Sequence, residues 1–162
     1  MVKSMKKIII LFLISFTFLF ANINKEVLYI EAKLYPKIFM LIKNLQNKKL
    51  IKVAILANKN TINTAKTLKN FLTNNNLKIK IIKNLNLNYD VYIITYHISN
   101  KTLNKLLKHK KVIFSISPND INISMFSIYI GVRVYPYINP ILIKKANLRI
   151  DPILFKVGKI YE

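Results

Sequence analysis

Few side chains in this 162-residue sequence are able to do chemistry, and they are widely spread. His97 and His109 flank a helical segment instead of sharing one of its turns, and no His-x-x-x-His or Glu-x-x-His pairing exists to hold a metal. The chain has no cysteine, which excludes disulfides, thiolate metal sites, cysteine nucleophiles and a lipid-modified N-terminal cysteine. Ser99, Ser115, Ser117, Ser124 and Ser127 include no Gly-x-Ser-x-Gly elbow. The two glycines, Gly131 and Gly158, are too few for a P-loop or a dinucleotide fingerprint. Of the six acids, Glu26 falls in a first helical turn, Asp90 precedes a strand, Asp151 precedes a helix and Glu162 is terminal. That leaves Glu31 and Asp120, which could approach in space as a carboxylate pair capable of acid–base work. No further motif supports them, so no catalytic residue, metal or cofactor is assigned and an enzyme is not expected.

The elements that would carry these residues follow from hydrophobic spacing. Leu28, Ala32, Tyr35, Phe39 and Ile42 repeat at three-to-four intervals across 24–45, an amphipathic helix that Pro36 should kink or split. Ile51 to Ala57 reads as a buried strand. A helix capped by Asn60 or Thr61 follows, with Ile62, Ala65, Leu68, Phe71 and Leu72 on one face. Leu77 to Ile82 alternates with lysine as a half-exposed strand, and Val91 to Thr95 and Val112 to Ile116 are further buried strands. Between these two lies a helix capped by Ser99 or Asn100. Alternation of this kind predicts β-α-β units. The loops at the strand carboxyl ends, 58–60, 97–100 and 117–122, are where such sheets bind ligands.

After Met125 the period becomes two. Phe126, Ile128 and Ile130, then Arg133, Tyr135 and Tyr137, predict a hairpin, with Gly131 at the turn to supply a positive φ. Pro140 opens a short helix, and Asp151-Pro152 caps a last helix through Tyr161. The fold expected is a single three-layer α/β domain over residues 22–162. Its mostly parallel sheet carries helices on both faces, plus a C-terminal antiparallel hairpin and a final helix.

Residues 1–21 read as a secretory signal peptide. Lys3, Lys6 and Lys7 precede an apolar run from Ile8 to Phe20, and small Ala21 stands where cleavage would fall. The alternative is an uncleaved membrane tether, because Leu19 occupies the outer recognition site. Against it, the apolar run is shorter than the ~20 residues a membrane span needs. Export places the protein in the periplasm and recasts its charge. The whole chain carries +21, and loss of the three leader lysines leaves 24 basic against six acidic residues, a net of +18. Outside the cytoplasm this favours an anionic membrane surface or an acidic partner face over nucleic acid. The excess of Lys, Asn and Ile also suggests an AT-rich genome, so part of the charge is tolerated drift on solvated faces.

In the C-terminal third, Arg133-Val134-Tyr135, Tyr137-Ile138-Asn139, Ala146-Asn147-Leu148, Ile150 and the run from Leu154 to Ile160 follow one another in an order that resembles the closing segment of the YfiR family of exported regulators. Looser agreement runs upstream in the same order, through Ala32 with Leu34-Tyr35, the strand at 51–57, Asp90 to Thr95 and Val112 to Ser117. The sequence lacks the Trp-Pro and the cysteines common in that family, and Ile123-Ser124 stands where a Gly-Gly is usual, so cysteine redox sensing is excluded. The resemblance implies a periplasmic regulator that binds the periplasmic region of an inner-membrane sensor, typically a diguanylate cyclase, and represses it. Arg133, Asn139 and Arg149 are the binding residues selected under that reading. Asn139 has an alternative role in ending its strand, and the arginines in neutralising carboxylates such as Asp151. A periplasmic small-solute binding protein is the alternative function, and homodimer formation stays open.

Overall fold

A computed structural model describes residues 25–162. The signal peptide expected at 1–21, with its cleavage site, falls outside the described residues. One seven-stranded sheet organises the rest, in the order β2-β1-β3-β4-β5-β6-β7. Strands β1 (Ile51–Leu56), β2 (Leu77–Ile82), β3 (Val91–Ile94) and β4 (Val112–Ser115) pair in parallel. β5 (Phe126–Ile130) extends this parallel block, β6 (Val134–Ile138) returns antiparallel to β5, and β7 (Lys159–Ile160) lies parallel to β6.

Sequence decides each strand's place. Every residue of β3 and β4 is buried, because a central parallel strand is covered on both faces. In β2, Lys78 and Lys80 stay exposed between Leu77, Ile79 and Ile81, and charged side chains on an edge strand discourage pairing with other chains. Chain order reverses between β1 and β3, so this is the switch point of the sheet. Right-handed crossovers leave β1 and β3 in opposite directions, which puts their following helices, α3 (Ile62–Phe71) and α4 (Asn100–Lys108), on opposite faces.

Helix α1 spans 25–39 and is followed by the short α2 (Lys43–Gln46). Contrary to expectation, α1 runs through Pro36, and the break comes at 40–42, where Ile42 bridges Ile150. Pro36 forfeits one backbone bond, but Ala32, Tyr35, Ile38 and Phe39 are buried around it, and packing outweighs that loss. The aromatic centre of the core is Phe114. Tyr35, Phe39 and Phe126 surround it with ring centroids at 4.9, 5.1 and 4.9 Å. Among the described residues the buried core runs from Leu28 to Leu154.

Three local expectations need correction. The loop at 117–122 is a 3₁₀ helix, Pro118–Ile123, kinked at Asp120 and opened by Ser117, whose Oγ accepts from the Asn119 amide at 3.3 Å. The hairpin turn at 131–133 contains no positive φ, and the Tyr129 ring lies 3.0 Å from where a β-carbon on Gly131 would sit. The last helix, α6 (Pro152–Val157), stops before Gly158 and the chain continues as β7. A β-carbon on Gly158 would meet Ile138 Cδ1 at 2.5 Å and Pro136 O at 3.0 Å, so only glycine lets the chain pass this close to β6.

Helix ends show where positive φ is used. Lys110 (φ 51°) and Asn147 (φ 52°) follow α4 and α5 (Pro140–Lys145). Lys110 and Lys111 amides reach the Leu107 and Leu106 carbonyls at 2.9 and 3.0 Å, and Asn147 and Leu148 amides reach Lys144 and Ile143 at 3.0 and 3.2 Å. Both ends are Schellman closures that satisfy otherwise unpaired carbonyls.

Candidate functional site

Polar groups at the strand carboxyl ends converge, and they bind one another. Asn58, just past β1, accepts from the Asn60 and Thr61 amides at 2.9 and 3.0 Å, fixing the entry to α3. Thr95, just past β3, donates to the Leu56 carbonyl at 2.9 Å, and its Oγ1 lies 2.8 Å from Thr61 Oγ1. This hydroxyl contact spans the switch point itself, where an open α/β sheet would receive a ligand. At the end of β4, Ser115 Oγ donates to the Ser117 carbonyl at 2.9 Å and accepts from the Ser117 amide at 3.0 Å.

Glu31 and Asp120 are not paired with one another. Asp120 Oδ1 lies 2.9 Å from His97 Nδ1, an exposed contact worth little energetically. Glu31 is fully buried on α1, and neither carboxyl oxygen has a hydrogen-bond partner among the described residues. Burial pushes its pKa up to about 9. Tyr35 donates to the Ser115 carbonyl at 3.1 Å, so its proton is committed elsewhere. At neutral pH Glu31 therefore carries its proton and adds no negative charge. Sequence reasoning missed this burial, although the helical spacing to Leu28 and Tyr35 places Glu31 on the apolar stripe.

The residues selected from the sequence separate. Asn139 is buried and caps α5, with Oδ1 accepting from the Leu142 amide at 3.1 Å and Nδ2 donating to the Ile121 carbonyl at 2.9 Å. Both ends of its side chain are used in holding the fold. Arg133 is exposed in the hairpin turn, and its carbonyl accepts from the Gly131 amide at 3.1 Å. Arg149, also exposed, lines a shallow recess of about 380 Å³ with Lys43, Asn44, Lys110 and Asn147. Neither arginine forms an ion pair among the described residues, and Asp151 is instead the N-cap of α6, accepting from Ile153 at 3.0 Å.

The remaining feature is apolar. Twelve large hydrophobic side chains are exposed among the described residues, and nine of them fall between Tyr129 and Ile160. Scattered exposure is ordinary, whereas these nine are concentrated in one stretch of chain. Ile141 lies on α5, Ile153, Phe155 and Val157 on α6, and Ile130, Val132 and Val134 on the hairpin.

No protein-family model matches the chain, and no curated protein does. Among solved structures, the chain is similar to one described as the ABC domain in complex with L-Trp from Streptococcus pneumonia, at 10% identity and a TM-score of 0.58. The match covers 83% of this chain and 60% of that one, so this chain spans about three fifths of its neighbour's length. At this identity the likeness is one of fold, and this protein is an α/β domain of that kind.

Proposed function

We propose that this chain is an exported regulatory binding protein that engages the periplasmic region of an inner-membrane signalling protein, of diguanylate cyclase type, and holds it inactive. The observation that carries the reading is the distribution of surface chemistry. Polar groups at the strand ends are engaged with one another, whereas α5 and α6 present Ile141, Ile153, Phe155 and Val157 to solvent. Exposed apolar side chains on two short helices that also carry Lys144, Lys145 and Lys156 suit a partner that is apolar with acidic groups at its rim. Repression then requires tighter binding to the inactive than to the active state of the partner. The C-terminal resemblance to YfiR-type regulators supports the same reading, and no helix among the described residues is long and apolar enough to cross a membrane.

The test is cross-linking in cells followed by identification of the captured membrane protein. The reading predicts an inner-membrane protein with a periplasmic sensor region and a cyclase output, and its loss with the exposed-site variants Ile153→Asp and Val157→Asp. Capture that survives both variants contradicts it. Small-solute binding is the second reading, favoured by the fold likeness to a tryptophan-bound domain. It predicts heat release on ligand titration and loss of that heat on Thr95→Val, since a solute at the switch point would take the Thr61 and Thr95 hydroxyls as its own hydrogen-bond partners.

A further inference from the structure

The β5–β6 hairpin carries a surface unlike the rest of the chain. Its three-residue turn presents Val132 completely exposed, and the cross-strand pair Ile130 and Val134 beneath it is about two fifths exposed. On the opposite side of the ribbon the register aligns Tyr129 with Tyr135 and puts Tyr137 on the same face. Tyr129 and Tyr137 meet edge to face at 6.2 Å, and Tyr161 continues the row at 6.1 Å from Tyr137. Lys159 Nζ lies 4.5 Å from the Tyr129 ring centre and 5.7 Å from that of Tyr137. No acid occurs between Asp120 and Asp151, while Arg133, Lys144, Lys145 and Arg149 do.

We infer that this hairpin tip docks onto an anionic lipid surface, with Ile130, Val132 and Val134 entering the acyl boundary and the tyrosines and cations at the headgroups. Each part has its physical reason. Apolar side chains on a narrow turn can reach the acyl boundary while the backbone, whose turn and outer edges keep groups without strand partners, stays at headgroup depth in contact with water. Tyrosine rings are amphipathic and settle at headgroup depth. A stretch with cations and no acid meets no like-charge penalty at an anionic leaflet, where basic residues are attracted within a Debye length. This contact is separate from the proposed protein partner: it uses other side chains and needs no second protein.

The test uses residues 22–162, which contain the whole described core, and sedimentation with vesicles of phosphatidylcholine and phosphatidylglycerol at three to one. The wild type should bind these at least tenfold more strongly than pure phosphatidylcholine vesicles. Val132→Asp should lose tenfold or more of that binding with an unchanged melting temperature, because the side chain it replaces makes no packing contact. Lys78→Gln, an equal change of charge on the far edge strand, should alter binding less than twofold. As the chain has no tryptophan, Val132→Trp supplies a single reporter whose emission should shift to the blue on the anionic vesicles. Three results overturn the inference: no wild-type binding to the anionic vesicles, binding unaffected by Val132→Asp, or an equal loss in Lys78→Gln.

Discussion

Replacing Glu31 by glutamine should make the protein more stable, by an amount that grows with pH. In the folded chain the carboxyl pKa lies near 9, against 4.5 for an ordinary glutamate. An acid whose folded pKa is raised binds a proton in the native state that the unfolded chain has released. Stability is therefore full below the unfolded pKa and falls as pH rises, levelling off above the folded pKa. The slope is about 1.4 kcal/mol per pH unit over this window, which amounts to about 3 kcal/mol between pH 5 and pH 7. Glutamine keeps the volume and polarity of the site without the ionisation. Urea denaturation of residues 22–162 and of Glu31→Gln at pH 5, 6, 7 and 8 measures the difference directly, and subtraction removes the titration of other groups. Tyr92, pushed up to about 12 by burial, and Tyr35, raised further, titrate above this range. A wild-type-minus-variant difference that stays constant from pH 5 to pH 8 would refute the reasoning. So would one of opposite sign, which would mean that the carboxylate is ionised and paired in the folded protein.

Other substitutions probe the framework. Asn139→Ala removes the α5 cap and leaves the Ile121 carbonyl with only the Ser124 amide at 3.4 Å, and should cost about 1–3 kcal/mol in denaturant midpoints. Arg133→Ala, fully solvated, should leave stability unchanged within about 0.5 kcal/mol. Gly158→Ala drives a β-carbon into Ile138 and the Pro136 carbonyl and should cost about 1–3 kcal/mol, with β7 amides exchanging faster than those of β6. Lys110→Gly relieves a left-handed residue at the end of α4 and should raise stability by up to about 1 kcal/mol, read as a higher melting temperature.

Much of the fold is legible in the sequence because its signals are strong and local. β3 and β4 are short apolar runs between loop residues, and the lysine alternation of β2 announces a half-exposed edge. Ser99 and Asp151 both occupy N-caps, as their side-chain chemistry suggests. What escaped the sequence depends on tertiary contact. Helix α1 outlasts Pro36 because its apolar stripe is buried on the sheet, and β7 has only two residues, whose pairing is set by a glycine close-packed on β6. The same holds for the candidate sites. Asn139 was visible as a strand end and not as the cap of α5, and the burial of Glu31 and the Thr61–Thr95 contact depend on residues far apart in the chain. Arg133 and Arg149 differ from their surroundings in residue type alone, and the structure places them at two separate exposed positions.

The regulatory reading is tested most directly by the cyclic dinucleotide level of cells that lack this protein, restored with either the wild type or Ile153→Asp/Val157→Asp. If the protein represses a membrane cyclase through its α5–α6 surface, deletion raises the level, the wild type returns it to baseline and the double variant does not. An unchanged level after deletion, or equal rescue by both forms, would contradict that claim.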